Sequence, residues 1–228
     1  MKNYDQDIIK AKKVLRNKSK NYKENFKKIE EFIAKEVQEI KKKNSSIIPE
    51  INFRDLGKSN NTKIVDNIKK RGCLVIRDVF DDKTIKEWNS DIENYIEKNN
   101  YYELQKKKAD LDNYFSDLKS GKPQIFGLYW SKTQTKIRQS EELDSVKKWI
   151  NNLWNYQYDG YQVFDPNKEL IYADRVRRRE AGDSTLGLSP HCDAGSIERW
   201  IESNYQKIYD KVFSDQFEKY DPFEAKHR

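Results

Sequence analysis

Two cysteines, two histidines and no apolar stretch of membrane-spanning length bound what this 228-residue chain does before any motif is read. Cys73 and Cys192 are too few for the disulfide framework of a small secreted fold. Cys73, inside the apolar run Gly72-Cys73-Leu74-Val75-Ile76, is expected as a buried free thiol. The first residues hold no apolar signal core, so a soluble, reducing, cytoplasmic setting is expected and no membrane partner. Internal repeats are also missing. With only His191 and His227 to draw on, any histidine-bearing metal site has few possible compositions.

What the chain does have is charge and aromatic side chains. Hydrophobic and charged residues each make up 36%, which is polar for a globular protein, yet 13% aromatics are too many for a disordered one. The net charge of +7 sits almost wholly in residues 1–45, where 14 Lys and Arg face 7 Asp and Glu; the remainder is balanced. A uniformly basic nucleic-acid-binding domain is therefore disfavoured. The chain divides into a basic amphipathic helical arm over 1–45 and a body over 46–228.

Within the arm, Tyr22, Phe26, Ile29, Ile33, Val37 and Ile40 recur at three- and four-residue steps, as on one face of a helix. Its lysines read either as contacts for an acidic partner or, with more weight, as the solvated side of a helix packed on the body. Asn44-Ser45-Ser46 and Pro49 break it. A short helix over 62–71 should end at Gly72, with a buried strand over 73–77. Asp81 or Asp82 can cap a helix whose apolar stripe is Ile85, Trp88, Ile92 and Tyr95. A further helix carries Leu104, Leu111, Phe115 and Leu118. Residues 124–130 look extended, and 141–155 helical with Leu143, Val146, Trp149, Ile150 and Leu153 inward. Tyr129, Trp130, Trp149 and Trp154 are expected in the core rather than as a substrate platform.

The region that carries chemistry begins with a strand over 169–180. Arg175, Arg177 and Arg179 alternate onto one of its faces, lining an anionic site or pairing with Asp174, Glu180 and Asp183. Ala181-Gly182-Asp183-Ser184 reads as a turn, and 185–191 as the next strand, delivering His191. His191 and Asp193, two residues apart, project to the same face and can supply two ligands of a 2-His-1-carboxylate Fe(II) triad. The spacing alone is a weak signal, and a hydrogen-bonded structural histidine is the competing reading. His227 is 36 residues further on and outside a strand pattern, so no convincing third ligand is present. Helix resumes after Trp200.

Two long runs, Leu170 to Asp183 (LIYADRVRRREAGD) and Leu188 to Trp200 (LSPHCDAGSIERW), resemble the YbiU-like family, a group related to Fe(II)/2-oxoglutarate-dependent oxygenases. Arg71 to Phe80 (RGCLVIRDVF), Pro123 to Lys132 (PQIFGLYWSK) and Tyr205 to Ala225 continue the likeness, which spans most of 50–225. The resemblance implies an α+β fold: N-terminal helices followed by a double-stranded β-helix, or jelly-roll. It implies Fe(II) on His191, Asp193 and a distal histidine, with 2-oxoglutarate chelating the metal, and hydroxylation of a C–H bond of an unidentified small molecule. Arg199 is expected to hold the ligand loop in place, and Arg177 to stand behind the site. Family members are much longer, so the chain reads as the first half of an incomplete jelly-roll. It is then an oxygenase that is inactive unless a completing polypeptide supplies the rest, or a non-catalytic relative serving as a binding or scaffold protein.

Overall fold

A computed structural model describes residues 4–43, 46–58, 61–106, 120, 125–183, 203–214 and 216–225. The chain opens with two helices, α1 (Tyr4–Lys18) and α2 (Tyr22–Lys43). A short strand β1 (Glu50–Asn52), helix α3 (Thr62–Arg71) and strand β2 (Val75–Arg77) follow. Next come α4 (Asp82–Lys98), α5 (Tyr101–Lys106), β3 (Ile125–Phe126), α6 (Lys132–Arg138) and α7 (Glu141–Asn151). The tight hairpin β4 (Gln157–Tyr158) and β5 (Tyr161–Gln162), strand β6 (Val176–Arg177), α8 (Ser203–Ile208) and α9 (Asp210–Phe213) complete the order. The described architecture is helical with small sheets, an α+β arrangement.

Local chemistry explains the boundaries. Asp81 caps α4, its carboxylate accepting from the Thr84 amide at 2.9 Å. Gly72 ends α3 at φ +68°, the left-handed conformation that glycine adopts without a Cβ penalty. α6 begins with a capping box: the Ser131 hydroxyl accepts from the Gln134 amide while the Gln134 side chain accepts from the Ser131 amide. β1 and β2 run parallel, pairing Ile51 with Ile76, and a two-pronged Glu50–Arg77 ion pair at 3.0 Å clamps their edge.

The main core gathers residues far apart in sequence. Ile68 of α3, Leu153 after α7 and Phe223 near the end of the chain are buried together, with Ile64, Val65, Leu74, Trp149 and Trp154 packed around them. Trp154 lies 4.7 Å from the Phe223 ring, and its indole N–H donates to the Pro222 carbonyl at 3.1 Å. The Asn155 amide donates to Phe223 and the Ala225 amide to Asn155, stitching the final segment onto the body. A second centre forms where Phe126, 1% exposed, meets the rings of Tyr101 and Tyr102.

Several expectations change on contact with this structure. Cys73 is exposed rather than buried, because β2 starts only at Val75. On α4 the buried residue is Ile96, whereas Ile85 and Tyr95 face solvent. Trp130 lies 75% exposed, outside the core. The strand expected over 169–180 is regular only at Val176–Arg177. The apolar stripe of α2 packs on little: Tyr22, Phe26, Ile33 and Val37 are exposed. The helical arm is instead tied to the body by Lys18 to Asp210 at 2.6 Å and by Glu36 to Lys70 and Arg71 at 2.6 and 3.2 Å. The helix expected around Leu111, Phe115 and Leu118 lies outside the described residues.

Candidate functional site

β3, β6 and the start of α6 are the described structure that precedes the His-x-Asp segment in sequence. β3 and β6 pair antiparallel, Ile125 opposite Arg177 and Phe126 opposite Val176. Side chains alternate across a strand, so Val176 and Arg177 point to opposite faces of β6, and just after it Arg178 turns to α4. Arg178 accordingly pairs with Glu93 of α4 at 2.8 Å and with Glu180 at 3.3 Å. The turn read from Ala181-Gly182-Asp183 is present: Gly182 is at φ +83°, and the Asp183 amide donates to the Glu180 carbonyl at 3.2 Å.

The acids expected to neutralise the arginine row are engaged elsewhere. Asp174 is bound by Arg138 and by the Gln134 amide group, Glu180 by Arg178, and Asp183 accepts from the Ser120 amide and hydroxyl at 2.8 and 2.6 Å. Arg175 lies over the Tyr129 ring at 5.2 Å. Among the described residues, Arg177 and Arg179 form no ion pair, and both are exposed. Among the described residues these two cations thus have no acidic partner, and they lie close in sequence to the His191 segment.

Below them lies a brace that the linear pattern did not announce. Gln134, 3% exposed, donates through its amide nitrogen to the carbonyls of Leu128 and Asp174, at 3.0 and 3.1 Å, and to the Asp174 carboxylate. Arg138 reaches the same carboxylate and stacks 4.7 Å from the Trp130 ring centre. Burial raises the Asp174 pKa, but hydrogen bonds from Arg138 and Gln134 outweigh it and hold the carboxyl below its ordinary value. The brace ties the 128–138 segment to the lead-in of β6. Its one legible signal was Ser131-x-x-Gln134, the signature of a capping box.

The Gig2-like family profile matches residues 2–228. The chain belongs to the Gig2-like family. It is 34% identical over 225 residues to "Uncharacterized protein YbiU" of Escherichia coli K12, covering 97% of this chain and 53% of that relative. Among solved structures, a Salmonella typhimurium LT2 protein called "Putative Oxidoreductase" superposes with a TM-score of 0.81 at 32% identity, over 96% of this chain and 53% of that one. GlcNAc Inducible Gene 2, GIG2 (DUF1479), from Candida albicans, superposes with a TM-score of 0.73 at 27% identity, over 97% and 46%. The chain spans about half the length of the relatives it matches.

For this Gig2-like chain, the fate of each candidate residue is clear. Arg177 lies on β6, exposed, opposite Ile125. His191, Cys192, Asp193 and Arg199 lie outside the described residues, as does His227. Among the described residues, no group of three or more His, Cys, Asp or Glu side chains could hold a metal. No helix among them is long and apolar enough to cross a membrane.

Proposed function

We propose that this chain contributes two ligands, His191 and Asp193, to an Fe(II)/2-oxoglutarate-dependent oxygenase centre built on a jelly-roll. The observation that carries the reading is the His191-Cys192-Asp193 spacing following an arginine-rich strand and a glycine turn. The donor set suits the metal: one neutral imidazole and one carboxylate are two thirds of the facial arrangement that leaves positions open for co-substrates. The name given to the Salmonella relative, although it specifies no reaction or cofactor, lends the reading support. When bound, Fe(II) would supply activation of O2, one atom of which would oxidise 2-oxoglutarate to succinate with release of CO2 while the other would hydroxylate a C–H bond.

The chain's own residues have simpler tasks in this reading. His191 offers a lone pair and Asp193 a negative charge. Arg177 and Arg179, free of acidic partners among the described residues, attract an anionic co-substrate or substrate to that side of β6. Arg199 steadies the ligand loop through a carboxylate or backbone carbonyl. The Gln134–Arg138–Asp174 brace fixes the strand that precedes the loop, so the ligands start from a rigid base. The third ligand and the basic partner of the co-substrate come from polypeptide matching the other half of the longer relatives.

Anaerobic loading with Fe(II), and with Co(II) as a spectroscopic stand-in, tests the proposal on the full 228-residue chain. Metal retention should fall by roughly tenfold or more in His191→Ala and in Asp193→Ala, as expected when a ligand is lost. Equal retention by the wild type and both variants sinks the oxygenase reading and favours a non-catalytic binding role.

A further inference from the structure

The basic arm is fastened to the first described segment after His191. Residues 184–202 join Asp183 to α8 (Ser203–Ile208) and α9 (Asp210–Phe213). On the upstream side the chain is fixed by the Asp174 brace and by the Ser120 hydroxyl on Asp183. On the downstream side α8 and α9 are six and four residues long, too short to hold helical shape without tertiary support.

Much of that support comes from the arm. α1 packs against α9, and Ala11 is the residue that α1 buries. The Lys18 ammonium donates to the Asp210 carboxylate at 2.6 Å and to the Gln206 carbonyl at 3.4 Å, so a single charge spans the junction of the two helices. Gln206 lies near the end of α8, where main-chain carbonyls lack partners within the helix and a lysine can serve them. Asn25, in the first turn of α2, donates to the carbonyl of Ser214, the residue that ends α9, at 3.4 Å. These contacts join residues 188 to 192 positions apart in the chain. A further hold comes from the Tyr209 ring, 5.8 Å from that of Tyr220.

We propose that the arm is an internal clamp: through Lys18 and Asn25 it positions the 203–214 segment, and with it the downstream end of the stretch that carries His191 and Asp193. A metal ligand has to be held within about half an ångström of its working place. A stretch fixed at both ends has far fewer arrangements to leave behind than one fixed at a single end. The clamp gives the arm's charge a task inside the molecule. As a positioning role for metal ligands it rests on the proposed function, whereas the clamp itself is read without metal.

Hydrogen exchange followed by mass spectrometry, on the metal-free 228-residue chain, provides the test. The double variant Lys18→Ala/Asn25→Ala should speed exchange by roughly fivefold or more in peptides covering 203–214 and in those bearing His191. Lys18→Arg, which keeps the charge and the donors, should stay near the wild type. Lys42→Ala, whose partner Glu39 belongs to the same helix, should change nothing there. Peptides covering Ile68 and Leu153 should keep wild-type rates in every variant. Unchanged exchange over 203–214, a rise that stops short of the His191 peptides, or an equal rise through the core would each overturn the clamp. Co(II) loaded on the same samples keeps the two readings apart. Where retention depends on His191, the double variant should lower it by roughly fivefold or more and Lys18→Arg should not; retention that ignores the double variant would overturn the positioning role. Equal Co(II) retention by the wild type and His191→Ala would defeat the oxygenase reading alone, with the clamp still judged by exchange.

Discussion

At the scale of single residues, Gln134 does more than its place in a polar helix suggests. One side chain closes the capping box of α6 through its oxygen and, through its nitrogen, binds the main chain at nearby Leu128 and at distant Asp174. Removing it strands buried partners, which costs more than the hydrogen bonds contribute net. Gln134→Ala should lower unfolding stability by about 2 kcal/mol, measured by urea denaturation. A change within experimental scatter would show that the brace is ornamental. The S-x-x-Q spacing could be read from the sequence, but the contact with Asp174, 40 residues on, could not.

At the scale of elements, α1 buries Ala11, whereas α2 leaves most of its apolar stripe in water and is tied to the body by polar contacts. Glu36 bridges Lys70 and Arg71 at the end of α3, and these contacts outweigh burial in holding its carboxyl below the ordinary value. Such exposed pairs are weak and screened by salt. Glu36→Gln should therefore speed trypsin cleavage within α2. Raising the salt to about 0.5 M should do the same to the wild type and little more to the variant. Cleavage rates that ignore both changes would place the attachment elsewhere. The stripe of Tyr22, Phe26, Ile33 and Val37 announced a helix faithfully, but periodicity reports amphipathicity and does not name the surface that the apolar side meets.

For the molecule as a whole, paired carboxylates set the acid limit. Glu50 is held low by the hydrogen bond from Arg77, Asp81 by the Thr84 hydroxyl and amide, and Glu36 and Asp174 by their basic partners. Each has a folded pKa below its unfolded value, so its contribution is complete above the unfolded pKa and disappears as pH falls through the folded one. The ordinary values are 4.5 for Glu and 3.8 for Asp. The melting temperature should thus hold steady down to about pH 5 and decline below it. Scanning calorimetry across that range checks this; a melting temperature unchanged at pH 3 would mean these pairs contribute nothing.

Local rules carried far in this protein because local physics decided those features. Gly72 ends α3, Asp81 caps α4, and Gly182 makes its turn, since each depends on a few neighbouring backbone groups. The tendency of residues 22–43 and 141–151 to be helical was likewise written in their spacing. Tertiary structure decided what spacing cannot contain: which apolar side found a partner, and which acid found which base. Phe223 reaches Ile68 and Leu153 across most of the chain, Trp130 stays in water under Arg138, and Asp174 binds Arg138 instead of the arginines beside it. Those outcomes depend on long-range packing and on competition among many charged groups. A one-dimensional pattern fixes which residues are able to meet, whereas the folded arrangement selects the pairs that do.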